Sequence, residues 1–279
     1  MLLDLPFKFS PSQSVSGPIN YSGQKTIEVR NLSVTLGSQS ILNDIHLTLN
    51  RGEFTVLLGP NGTGKSTLLK AITGEINATG HCRIFGQEKA HWPAPLLAKH
   101  LGVLPQSSSL SFNFMAKEVI ELGGIGLTMS KRELEGVVSK YMNATDVKHL
   151  TSRAYPTLSG GEKQRVHLAR VLTQLEQSGD NKVLLLDEPT SALDIHHQHT
   201  TLDLAHKLAN NGATVVAVLH DLNLAAQYAD RIIILNHGTI VTDGSPRDAL
   251  QPNIINEVYH HKVDVITHPT YGHPVVITS

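Results

Sequence analysis

From Thr26 onward apolar and polar residues alternate in TIEVRNLSVTL and again in ILNDIHLTL, then apolar residues close up in EFTVLLG. Alternation is the mark of strands with one buried face, and a closed apolar run fits a strand buried on both. KVLLLDEP and ATVVAVLHD are of the second kind. RIIILNHGTIVTDG reads as a hairpin turning at Asn236 to Gly238. STLLKAITG and TTLDLAHKLANNG carry helical spacing, the latter closed by Gly212. Strand and helix therefore alternate, which predicts an α/β fold. The stretch from Ser111 to about Pro156 differs: MAKEVIELG and KRELEGVVSKYMNA read as amphipathic helices with no strong strand between them. They predict a helical subdomain, about 111–156, inserted between two α/β halves. Residues 1–25 are rich in Ser, Pro and Gly, lack periodicity and predict a flexible extension before a folded domain at 26–279. The tail, about 252–279, reads as a short helix followed by irregular chain.

Composition narrows the function. The 279 residues carry a net charge of -1, so no global basic field draws nucleic acid or anionic lipid. Cys82 is the sole cysteine, which rules out an internal disulfide and fits a reducing, cytosolic setting. No run approaches the roughly 20 apolar residues of a membrane span. The N-terminus MLLDLPFKFS has no basic start and a broken apolar run, unlike a signal peptide. Membrane association is expected to come through a partner.

Chemistry concentrates first in Gly59-Pro60-Asn61-Gly62-Thr63-Gly64-Lys65-Ser66-Thr67, which fits the P-loop pattern G-x-x-x-x-G-K-[ST] between an apolar strand and a helix. Backbone amides and the helix N-terminus would cradle phosphates there. Lys65 would sit on the β- and γ-phosphates of ATP, and the Ser66 hydroxyl on Mg²⁺. The matching carboxylates end the buried run VLLLDEP: Asp187 for the Mg²⁺ shell, Glu188 to polarise the attacking water.

LSGGEKQRV, Leu158 to Val166, raises a question, because it looks like a second phosphate device in one chain. Ser159-Gly160-Gly161-Glu162 also reads as a capping box, which needs no ligand. Its two glycines favour more than a cap, since glycine costs stability in a helix unless backbone must approach something closely. The stretch resembles the signature of ABC transporter ATPases. The family's other motifs follow in order: Gln106 in GVLPQ matches the Q-loop, Asp187 and Glu188 the Walker B pair, Ser191 to Asp194 the D-loop, and His220 in VLHD the switch histidine. The resemblance covers about Thr26 to the C-terminus. It implies a P-loop NTPase fold with an antiparallel β subdomain and an inserted helical subdomain.

The resemblance also implies a head-to-tail homodimer, with each ATP between the P-loop of one chain and the LSGGE of the other. Ser159 and Gly161 would then touch the γ-phosphate across the interface, within a site formed by Ser159, Gly160, Gly161 and Glu162. Asp194 would reach across the dimer. His220 would contact the γ-phosphate from the Lys65 side, and Gln106 would sense Mg²⁺ and the attacking water. VLPQSSSLSFNFMAKEVIELG and HDLNLAAQYADRIIILNHGTIV resemble the branch that serves iron-siderophore, haem and cobalamin uptake. The THPTYGHPVVI tail and LPQSSSLSF are similar to bacterial haemin import ATP-binding subunits. That similarity implies a peripheral subunit on the cytoplasmic face of the bacterial inner membrane, under an integral permease dimer fed by a periplasmic haem-binding protein. Import of a ferric siderophore or cobalamin is the nearest alternative, and a soluble ABC ATPase acting on ribosomes or DNA a more distant one.

Other residues have plainer readings. Where the family places an adenine-stacking aromatic this chain has Leu36, with Tyr21 upstream as a substitute. His196, His197 and His199 predict an exposed polar helix face, the i, i+3 pair His196 and His199 offering a surface metal site as the alternative. His260, His261, His268 and His273 are expected to be solvated, and Cys82 to be a small strand residue. Phe112 and Phe114 fit equally a packed helical subdomain and a groove for a membrane partner.

Overall fold

The computed structural model describes Ile19, residues 21–107 and residues 113–278. Most of the expected N-terminal extension (1–18 and 20) lies outside the described residues, as do Ser111 and Phe112.

The described chain opens with β1 (Lys25–Leu36) and β2 (Gln39–Asn50), then β3 (Phe54–Leu58) and α1 (Lys65–Thr73). β4 (Thr79–Ile84), β5 (Gln87–Glu88), the short α2 (Ala94–Leu97) and β6 (Leu101–Leu104) follow. The helical stretch holds α3 (Ala116–Glu121), α4 (Lys131–Ala144) and α5 (Gly160–Gln174). Next come β7 (Val183–Asp187), α6 (Ile195–Asn210), β8 (Thr214–Val218), α7 (Leu222–Tyr228), β9 (Arg231–Asn236) and β10 (Thr239–Gly244). The short α8 (Pro246–Ala249), α9 (Pro252–Tyr259), β11 (Val263–Thr267) and β12 (Pro274–Thr278) end the chain.

A six-stranded sheet in the order β10-β9-β3-β8-β7-β6 forms the centre, parallel except for the β9–β10 hairpin. β3 lies between β8 and β9, and the Phe54 amide donates to the Asp230 carboxylate at 2.8 Å. The closed apolar runs are explained by burial on both faces. Leu184 and Leu186 of β7 join the core shared with α5, α6 and the helical stretch, while Val183 and Leu185 join the core under α1 and the antiparallel sheet. That antiparallel sheet has the order β2-β1-β4-β5. The β9–β10 turn is His237-Gly238, both at positive φ (46° and 76°), as a two-residue hairpin turn on twisted strands requires.

α3 and α4 pack on α5, and Phe114 is partly buried against the same core. Within it, Nε2 of His167 lies 2.7 Å from the Tyr155 hydroxyl. Burial, then the charge of Arg170, pushes the His167 pKa down to about 4. Below about pH 6.5 the unfolded chain binds a proton that the native chain refuses, so stability falls as pH drops from about 6.5 to about 4, by at most about 3 kcal/mol. Thermal melts at pH 7 and pH 5 should show this loss, and His167→Gln should lose correspondingly less.

The tail departs from expectation. β11 and β12 pair as a regular antiparallel hairpin from Val263↔Thr278 to Thr267↔Pro274. Asn223 of α7 clasps it, accepting from the Val276 amide at 2.7 Å and donating to the Val276 carbonyl at 3.1 Å. His268 and His273 are half-buried with rings 4.8 Å apart rather than solvated, whereas His260 and His261 are exposed.

Candidate functional site

The turn between β3 and α1 places residues 59–64 beside the end of β7 and the segment after β8. Gly59 has φ 140°, and a Cβ there would sit 2.1 Å from the Leu235 carbonyl, so only glycine lets this loop close against β9. Lys65 is buried, and its Nζ donates to the carbonyls of Gly59 (2.6 Å) and Pro60 (2.8 Å). Burial lowers its pKa, and the charges of Glu188 and Asp187 oppose that. Thr63 Oγ1 donates to the Pro60 carbonyl at 3.0 Å and fixes the loop. The Ser66 hydroxyl donates to Asp187 Oδ1 at 2.9 Å, and Thr67 follows on α1.

Asp187 ends β7 and is 5% exposed. Burial raises its pKa, with the Ser66 hydrogen bond pulling the other way. Glu188 comes next, at φ 53°, a conformation that costs an L-residue about 1–3 kcal/mol unless its surroundings hold it. The turn sends its carboxylate to His220, with Oε1 2.8 Å from Nε2. Burial works against the Glu188 charge, but hydrogen bonds from His220 and Gln106 outweigh it and hold the carboxyl below its usual range. Asn61, Gly62, Lys65, Ser66, Gln106, Glu188 and His220 thus line one open cavity of about 420 Å³. A lysine, a serine hydroxyl, a carboxylate and a histidine around one polar cavity suit a phosphate chain and its attacking water.

Ser159, Gly160, Gly161, Glu162 and Asp194 do not line that cavity. Ser159 caps α5: its Oγ accepts from the Glu162 amide at 3.3 Å, while Glu162 accepts from the Ser159 amide at 2.7 Å. That amide bond is the main reason the Glu162 carboxyl sits below its usual range. The capping box is therefore real, yet it explains only part of the motif. A Cβ on Gly161 would lie 2.7 Å from the Ala192 carbonyl, whereas one on Gly160 would meet only the Ala192 Cβ at 3.7 Å. Gly161→Ala is expected to cost about 1–3 kcal/mol by overpacking. Gly160→Ala should leave the melting temperature unchanged, so loss of activity there would report a contact from outside the chain. Thermal melts and ATPase assays of both variants check this.

Asp194 caps α6 by accepting from the His197 amide at 2.9 Å, and stays exposed. His197 is not on a solvated face: its ring lies 2.8 Å from Asp194 and 3.2 Å from Asp146. His199 turns to the Tyr228 hydroxyl at 2.8 Å, away from any pairing with His196, and among the described residues no cluster of three or more groups suits a metal ion. Leu36 is half-exposed at the far end of β1, while Tyr21 packs on Phe85 and donates to the Lys25 carbonyl at the opposite end, so it does not replace an aromatic at Leu36. Burial pushes the Cys82 thiol up to about 11, as befits an unreactive strand residue. Sequence reasoning missed Gln164, whose amide reaches the Glu188 carbonyl; nothing in the spacing of a glutamine on a helix signals it.

A family profile described as ABC transporter matches residues 42–191. The chain belongs to the ABC transporter family. As an ABC ATPase it binds and hydrolyses ATP. It is 55% identical over 252 residues to the Hemin import ATP-binding protein HmuV of Photobacterium profundum, covering 90% of this chain and 91% of that protein. The protein of the same name from Vibrio cholerae is 55% identical over 251 residues, covering 90% and 97%. A solved structure of an ATP-binding subunit of an ABC transporter superposes with TM-score 0.73 at 26% identity, covering 84% of this chain and 98% of that one. An ATP-binding cassette in its ADP conformation shares the fold at TM-score 0.72 and 22% identity, covering 85% and 99%. This ABC ATPase holds no helix, among its described residues, long and apolar enough to cross a membrane.

Proposed function

We propose that this ABC ATPase powers bacterial haem (haemin) import through a separate integral permease dimer, docked on the cytoplasmic face of the inner membrane and supplied by a periplasmic haem-binding protein. The observation that carries the cargo is the run of relatives at 53–55% identity over about nine-tenths of the chain, all named for hemin import. Residues 26–279 form the ATPase unit in this reading, with the helical insertion at about 111–156.

Two copies pack head to tail. Support comes from the exposed Ser159 and Gly160, which lie apart from their own chain's nucleotide cavity and leave the α5 N-terminus open to an anion. Ser159, Gly160, Gly161 and Glu162 then face the partner's γ-phosphate, and Asp194 meets the partner. Within one chain, residues 59–67 cradle the phosphates and Lys65 leaves its carbonyl partners for the phosphate oxygens. Glu188 takes the proton of the attacking water, Gln106 orients that water, and His220 holds Glu188 and the γ-phosphate. The paired oxygens of Ser66 and Asp187, 2.9 Å apart, suit the oxygen preference of Mg²⁺, with Gln106 nearby. When bound, Mg²⁺ neutralises phosphate charge.

Deleting the gene and growing cells on haem as sole iron source, beside siderophore-bound iron, tests the cargo. Growth lost on haem alone supports haem import. Growth lost on the siderophore alone moves the cargo there, and growth on both points to redundant uptake, cobalamin or a non-iron role.

A further inference from the structure

The Glu188 peptide is held from behind. Glu188 sits at φ 53°, and its carbonyl is met by a side chain of α5. There Gln164 Nε2 donates to that carbonyl at 2.8 Å, and Ser191 donates to it twice, from Oγ at 3.1 Å and from its backbone amide at 3.3 Å. Chemistry fixes the Gln164 amide this way round, because the reverse would set its oxygen against a carbonyl. The bond to Glu188 is the only one the amide makes among the described residues: its Oε1 is buried without a partner. The side chain lines a cavity of about 220 Å³ with Gln106, His167 and Ser191. A half-buried glutamine that spends its one hydrogen bond on Glu188 and leaves its buried oxygen unpaired is poorly explained as general glue. It is well explained as a clamp on a residue in a sparsely populated conformation, which persists only where its surroundings dictate it.

We propose that Gln164 is a positioning residue for ATP hydrolysis, its amide locking the Glu188 peptide and so aiming the Glu188 carboxylate at His220. The inference rests on the reading of Glu188 as the base. Gln164 stands five residues after Ser159 on the same helix, so the helix whose tip is offered to the partner's ATP also grips the base of its own chain.

The test is Q164M, which keeps length and helix propensity but removes the donor, assayed beside E188Q. Q164M is expected to lower kcat about tenfold with KM for ATP nearly unchanged. An unchanged kcat, or a fall in kcat matched by a comparable rise in KM for ATP, overturns the proposal. Should Q164M fail to fold, S191A removes the hydroxyl donor from an exposed position: a smaller fall in kcat at unchanged KM supports the clamp, and unaltered values overturn it. If E188Q keeps turnover, the reading of the base fails; if only E188Q loses turnover, the clamp alone fails.

Discussion

Glu188→Gln is expected to lower kcat by about 10²–10⁴-fold while ATP binding stays within about twofold. The amide matches the carboxylate in shape, can sit at the same φ of 53°, and still accepts from His220 Nε2. It cannot take a proton. Lys65, Ser66 and the loop amides, which would hold the nucleotide, are untouched. Steady-state ATPase assays and titration with a fluorescent ATP analogue measure the two quantities separately. The natural enzyme should also lose kcat as pH falls, on an acid limb below the usual glutamate range, because His220 and Gln106 hold the carboxyl charged. A variant with normal turnover would remove Glu188 as the base.

Ser159→Asp carries the second large effect, because it separates the helix cap made by Ser159 from the proposed contact of LSGGE with the partner's ATP. Aspartate caps a helix as well as serine does, so the melting temperature should move by no more than about 2 °C. The new carboxylate would confront the partner's γ-phosphate. Hydrolysis should fall about 10²-fold or more and lose its cooperativity in ATP, while nucleotide binding to a single chain persists. Ser159→Ala is the control: it loses the cap at a cost of about 1 kcal/mol without adding charge. Cooperative turnover by Ser159→Asp would reduce the motif to a helix cap.

What could be read from sequence was what is local. The P-loop, VLLLDEP and LSGGE declare themselves because fixed spacing forces neighbouring residues into one turn of backbone. The buried strands were legible because burial on both faces leaves no room for polar residues. What failed depends on distant partners. VDVIT and PVVIT are too short and too exposed to announce a strand pair, and the hairpin forms because Asn223 clasps Val276 from 53 residues away. His197 looked solvated because Asp146, its second partner, lies 51 residues upstream. Tyr21 was misplaced because its ring follows Phe85 at the wrong end of β1.

The place of β3 in the sheet also sets how late in biosynthesis that strand can find its neighbours. Its neighbours, β8 and β9, are made long after it: Phe54 and the Asp230 that receives its amide are 176 residues apart. At 5–20 residues per second the ribosome needs roughly 10–35 s to cover that interval. Until then the P-loop follows a strand with no sheet to hold it, and Gly59 lacks the Leu235 carbonyl it closes against. The nascent chain therefore cannot grip ATP until most of it has been made, which keeps half-built copies from consuming nucleotide.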